Sequence, residues 1–291
     1  MARVKSLLGI FLLTALTACG GGGSNASVDA SVATTPVVAS SPVGASPTIA
    51  MPAVALHIIA YGQSLSLGER AVNGWPNDLS IPNDYVDVGQ MFSDGVLSKG
   101  TGPLRTFKES NAAIDGGLWG ISTPGETPFY GALLALKDLP GYRIGSAAGQ
   151  GATAIAGLGK GSVPYARLLV QVAAAKALAG AGYSVRGITW MQGESDAGNL
   201  NYAAQLTQLI ADLRSDIAKI SGQTSAVPFF IAQPWPREIA AAEVQVAASV
   251  PGVYVACDTA KLEKSEGLHL TARGSRAAGT ALGAAIKASS F

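Results

Sequence analysis

From Val54 onward, short apolar runs that end in polar turns alternate with longer Ala- and Leu-rich stretches, and this alternation constrains the fold more than any other feature. The runs Val54 to Ala60, Tyr142 to Ala147, Val185 to Met191, Pro228 to Gln233 and Gly252 to Cys257 have the length and apolar character of buried strands. Between them, residues 128–139, 165–179, 202–220, 237–248 and 271–288 are rich in helix formers and long enough for helices. Strands alternating with helices predict a mostly parallel sheet covered on both faces, an α/β fold of three α/β/α layers with a flavodoxin-like arrangement. A ligand site in such a sheet lies beyond the carboxyl ends of its strands. The stretch from Glu69 to Gly125 breaks the pattern, being rich in Gly, Pro, Asn and Asp. It reads as a long excursion that shapes the rim of that site.

Ahead of the first strand the chain has a different character. Arg3 and Lys5 precede an apolar run from Ser6 to Ala18, too short for a stable bilayer span, and Leu16-Thr17-Ala18-Cys19 is followed by Gly20. This is the layout of a secretory signal, and it resembles a bacterial lipobox. Residues 1–18 then form a lipoprotein signal peptide and Cys19 is the lipidated first residue. Gly20 after Cys19 points to a bacterial cell envelope location in the outer membrane. Residues 19–52 contain Gly, Ser, Ala, Thr, Val and Pro with Asp29 as their single charge, the composition of a flexible tether. Residues 53–291 remain as one catalytic domain of about 239 residues.

Composition removes several classes of function. The 20 basic and 19 acidic side chains nearly balance, so nothing suggests nucleic acid as a partner. With Cys19 acylated only Cys257 is left, which rules out an intrachain disulfide and a cysteine-based metal cluster. No cofactor or metal is expected. His57 and His269 are the only imidazoles.

Three polar clusters follow the ends of strand-like runs: Gly62-Gln63-Ser64, Gln192-Gly193-Glu194-Ser195-Asp196 and Glu266-Gly267-Leu268-His269. A parallel sheet brings such ends to one edge. A serine hydroxyl is a poor nucleophile near neutral pH; it needs a base to take its proton and donors to hold the oxyanion formed by attack. Ser64 and His269 supply the first requirement. Glu266, three residues before His269, is close enough to orient the ring, and Glu194 is a second candidate acid. His57 lies inside an apolar strand and reads as a satisfied core residue.

The runs Tyr61-Gly62-Gln63-Ser64, Trp190-Met191-Gln192-Gly193-Glu194-Ser195-Asp196 and Gly267-Leu268-His269-Leu270-Thr271 resemble three blocks of the SGNH hydrolases, in the branch of sialate O-acetylesterases and acetylxylan esterases. The resemblance implies a three-layer α/β/α fold and hydrolysis of acetyl esters on carbohydrates. Carried onto this sequence, it makes Ser64 the nucleophile and His269 the base. The Ser64 backbone amide, the Gly151 amide within Gly149-Gln150-Gly151-Ala152-Thr153 and the Gln192 side chain become oxyanion donors. Where the wider superfamily has Asp, this chain has Glu266, and some acetylxylan esterases use the glutamate that corresponds to Glu194. The acid therefore stays open between the two. Leu65-Ser66 also departs from the Asn-Met common in close relatives, which weakens a specific sialate assignment. Two alternatives remain: a carbohydrate-binding surface lipoprotein without turnover, and a lipid or short-chain esterase. Trp190 and Trp235 at strand ends suit either sugar stacking or ordinary packing.

Overall fold

The computed structural model describes residues 54–69, 89–92, 99–100, 103–106, 127–265 and 267–289. The signal peptide, Cys19 and the tether lie outside these residues, as does Glu266. The described residues belong to one compact unit.

All five expected strands are present: β1 (Ala55–Gly62), β4 (Tyr142–Ala147), β5 (Tyr183–Met191), β6 (Phe229–Gln233) and β7 (Val253–Asp258). Two more, β2 (Gln90–Phe92) and β3 (Leu104–Thr106), lie within the 69–125 excursion. Each has only three residues, too few for a periodic pattern to show in sequence. The sheet order is β3-β2-β4-β1-β5-β6-β7. Neighbours pair in parallel throughout, except for the antiparallel edge pair of β2 and β3. Because β1 pairs with β4 on one side and β5 on the other, the chain reverses its direction of travel across the sheet at β1. That crevice is where such folds place their ligands.

The helices are α1 (Ser64–Leu67), α2 (Pro128–Ala135), α3 (Val163–Ala179), α4 (Tyr202–Ser221), α5 (Arg237–Ser249) and α6 (Ala272–Ala288). Helix α2 packs on α6, while α3, α4 and α5 pack in succession. Two hydrophobic clusters correspond to the two faces of the sheet. One joins Ile59, Tyr61, Ile188 and Trp190 to Leu168, Leu206, Leu213 and Ile239; the other joins Ile58, Ala60 and Phe230 to Leu133, Ala278 and Leu282. The expected three-layer α/β/α sandwich is the observed one. In α4 the buried residues Leu206, Leu209, Ile210, Leu213 and Ile217 recur at helical spacing, and each contributes about 1.5–3 kcal/mol on burial. Thr271 caps the start of α6 by accepting the Gly274 N–H at 3.0 Å, which fixes the chain just after His269. Among the described residues no helix is long and apolar enough to cross a membrane.

His57 is fully buried, as its apolar strand suggested. Ser146 Oγ donates to Gln171 Oε1 at 2.8 Å, so it accepts from His57 Nε2 at 2.8 Å, and His57 Nδ1 accepts from the Tyr183 hydroxyl at 2.7 Å. Burial pushes the pKa of the ring down to about 3, and it is held as a neutral core residue.

Candidate active site

Strand β1 ends at Gly62, whose φ of +141° is unfavourable for residues with a side chain. A Cβ there would lie 2.1 Å from the Met191 carbonyl oxygen, so only glycine lets the ends of β1 and β5 approach this closely. Gln63 N–H then donates to that same carbonyl at 3.0 Å, and the chain turns at once into α1 with Ser64 as its first residue. Ser66 Oγ donates to Gln63 O at 2.6 Å and locks the turn. Ser64 is thereby held at the sheet edge, only 4% exposed.

His269 reaches the same point from the opposite end of the chain. Its loop is closed by the Lys264 to Leu270 bridge, by Ser265 N–H donating to His269 O at 2.9 Å and by Thr271 N–H donating to Glu263 O at 3.1 Å. Lys264 Nζ donates to Thr259 O at 2.7 Å and ties this loop to the end of β7. The result places His269 Nε2 3.1 Å from Ser64 Oγ, across 205 positions of sequence. That is hydrogen-bonding distance for transfer of the hydroxyl proton.

The loop after β4 completes the floor. Gln150 N–H donates to Gly62 O at 3.0 Å, and Arg167 Nη1 donates to Gly149 O at 2.9 Å. Ala152 follows Gly151 with a φ of +50°, a conformation that costs about 1–3 kcal/mol in a residue with a side chain. Among the described residues no acceptor takes the backbone N–H of Ser64 or of Gly151.

The Gln192 side chain sits behind both segments. Its Nε2 lies 3.2 Å from Gln63 Oε1, 3.1 Å from Thr153 O and 2.5 Å from Asp196 Oδ2. An amide nitrogen has two hydrogens, and these three acceptors already outnumber them. Donation to an oxyanion, the role the resemblance gave this residue, requires one of these bonds to be exchanged. Asp196 also accepts Ile155 N–H at 2.8 Å, which ties the loop after β4 to the loop after β5, and Asn199 Nδ2 at 2.8 Å within its own loop.

The two candidate acids part company here. Burial pushes the Glu194 carboxyl up to about 7, and its Oε2 atom is buried with no hydrogen-bond partner among the described residues. The cation nearest to it in effect is Lys264, and among the described residues no hydrogen bond joins it to His269. Glu266 lies outside the described residues. Of the two tryptophans, Trp190 is fully buried in the core and so offers no face to a sugar, whereas Trp235, between Pro234 and Pro236 at the end of β6, is 47% exposed. Sequence reasoning missed Gln63 and Thr153 as braces, and it missed Tyr202 and Glu243 behind them. Only Glu243 left a trace: it shares a helical face with Ile239 and Val246, where a carboxylate is out of place.

Residues 135–288, just over half of the chain, match the family model described as carbohydrate esterase, sialic acid-specific acetylesterase. The chain belongs to this carbohydrate esterase family. The matched region holds His269, Gly151 and Gln192, while Ser64 precedes it. No curated protein matches the sequence. The fold is similar to that of a protein from Arabidopsis thaliana, with 20% identity, a TM-score of 0.64, and coverage of 80% of this chain and 98% of that one. It is also similar to NanS, with 13% identity, a TM-score of 0.56, and coverage of 82% and 98%. A carbohydrate acetylesterase from Xanthomonas citri has 14% identity and a TM-score of 0.55, with coverage of 80% of this chain and 56% of that protein. At these identities the likenesses speak for the shared fold alone.

Proposed function

We propose that this carbohydrate esterase removes O-acetyl groups from sugars through an acetyl-enzyme on Ser64. The observation that carries the reading is the 3.1 Å contact between Ser64 Oγ and His269 Nε2 at the carboxyl edge of the sheet. His269 takes the hydroxyl proton as Ser64 Oγ attacks the acetyl carbonyl. The backbone N–H groups of Ser64 and Gly151 stabilise the tetrahedral oxyanion, a type of donor worth about 3 kcal/mol each. Collapse breaks the ester C–O bond, and His269 returns the proton to the departing sugar oxygen. Water, deprotonated by His269, then attacks the acetyl group on Ser64; collapse of the second intermediate releases acetate, and the proton returns to Ser64 Oγ. Glu266 is the better orienting acid of the two: it stands three residues before His269, whereas burial favours the uncharged form of Glu194.

A sugar deacetylase meets its selectivity in the acyl group. With residues 53–291 as the enzyme, chromogenic acetate esters are expected to turn over at least about tenfold faster than octanoate esters, since each misplaced methylene costs about 1 kcal/mol or more in a confined pocket. Faster octanoate hydrolysis would favour a lipid-directed esterase. Binding of acetylated glycans with no acetate released would favour a lectin-like role.

The N-terminal sequence supports anchoring of this domain to the bacterial outer membrane through lipid on Cys19, with residues 20–52 as a spacer. Cys19→Ala is expected to move the protein from the membrane fraction to the soluble fraction of fractionated cells.

A further inference from the structure

Behind the Ser64 site a carboxyl group is sealed in the core, and among the described residues no group of opposite charge pairs with it. Glu243 of α5 has no exposed surface, and its Oε2 atom has no hydrogen-bond partner among the described residues. Its Oε1 lies 3.2 Å from the hydroxyl oxygen of Tyr202, itself fully buried. That hydroxyl accepts from Trp190 Nε1 at 3.3 Å and lies 2.9 Å from Gln192 Oε1, its shortest contact. A tyrosine hydroxyl has one hydrogen. Placed on the shortest of its three acceptor contacts, to Gln192 Oε1 rather than to Gln192 O or Glu243 Oε1 at 3.2 Å each, that hydrogen leaves the one between Tyr202 and Glu243 to come from the carboxyl group. Burial outweighs the lowering effect of Tyr202 and Trp190 beside it and, with Glu194 adding like-charge repulsion, holds Glu243 well above the usual carboxylate range and keeps that hydrogen in place.

The direction of this chain matters for the site. With Oε1 of Gln192 held by Tyr202, its amide nitrogen necessarily faces the other way, toward Gln63 Oε1, Thr153 O and Asp196. Gln63 directly precedes Ser64, and Thr153 is two residues after Gly151. An amide turned end for end would set its oxygen against the Thr153 carbonyl and the Asp196 carboxylate, and both segments would shift. We propose that Glu243 is a positioning residue for ester hydrolysis, acting through Tyr202 and Gln192 to fix the two segments that carry the Ser64 and Gly151 N–H groups. This rests on the acetylesterase reading given above.

The experiment compares kcat and KM for a chromogenic acetate ester across the parent, Glu243→Leu, Glu243→Gln, Tyr202→Phe and Ser64→Ala, with circular dichroism and a thermal melt for each. Ser64→Ala tests the underlying reading on its own: loss of hydrolysis establishes it, and full activity removes it. Given an active parent, Glu243→Leu and Tyr202→Phe are expected to lower kcat by about tenfold or more with KM within about twofold, as displaced oxyanion donors act on the transition state. Glu243→Gln keeps a hydrogen donor in the same place and is expected to hold kcat within about threefold of the parent. Parent kcat in folded Glu243→Leu would overturn the proposal. So would equal losses in Glu243→Leu and Glu243→Gln, since a neutral donor then makes no difference. Should Glu243→Leu fail to fold, Tyr202→Phe decides, because it removes only the hydroxyl: a parent-like kcat overturns the relay, and a kcat loss with intact melting supports it.

Discussion

Ser64→Ala is expected to reduce kcat for acetate ester hydrolysis by at least about 10³-fold, while circular dichroism and the melting temperature stay close to those of the parent. The substitution removes one oxygen atom from the start of a buried four-residue helix and leaves the turn intact, since the locking bonds come from Gln63, Ser66 and Glu69. His269→Ala is expected to produce a loss of similar size, and the double variant little more than either alone, because a nucleophile and its base act as one unit. A steady-state rate measured with the parent at the same concentration checks all three. Near-parent turnover in Ser64→Ala would rule out the acetyl-enzyme route.

The second large effect separates the two acids. Glu266→Gln is expected to lower kcat by about 10²-fold or more, the loss that the proposed role of Glu266 as orienting acid for His269 entails. Glu194→Gln is expected to leave turnover much closer to the parent, and to register in stability instead. Burial raises the Glu194 carboxyl from 4.5 to about 7 in the folded chain, so the unfolded chain releases its proton at lower pH than the folded one does. Stability is lost as pH rises between these values, by up to about 3 kcal/mol. Glu194→Gln escapes that loss: relative to the parent it gains stability at pH 8 and not at pH 4, as urea unfolding at the two pH values would show. The opposite ranking of the two rates would make Glu194 the orienting acid.

His57 and His269 show how the fold sorted groups that sequence alone could only place. Both sit in or beside apolar segments, and the apolar strand around His57 already marked it as core. The bonds to Tyr183, Ser146 and Gln171 that make it tolerable there come from three separate elements, so no local pattern contains them. The short strands Gln90–Phe92 and Leu104–Thr106 escaped notice for a different reason: three residues span little more than one period of alternation, too few to establish a pattern. Trp190 and Trp235 looked alike as strand-end aromatics, and only packing put one in the core and left the other at the surface.

By itself, then, the chain determined what local chemistry can encode. Alternating strands and helices set a parallel sheet with covered faces, polar residues at strand ends put Ser64, Gln192 and His269 at one edge, and scarcity left few imidazoles from which to choose a base. The tertiary structure decided what depends on approach between distant segments. It set the 3.1 Å gap between Ser64 and His269, turned the Gln192 amide toward Gln63, Thr153 and Asp196, and sealed Glu243 beneath Tyr202. Hydrogen bonds act over about 3 Å, and the residues they join here lie up to 205 positions apart. Such distances exist only once the sheet has closed and its two faces are packed.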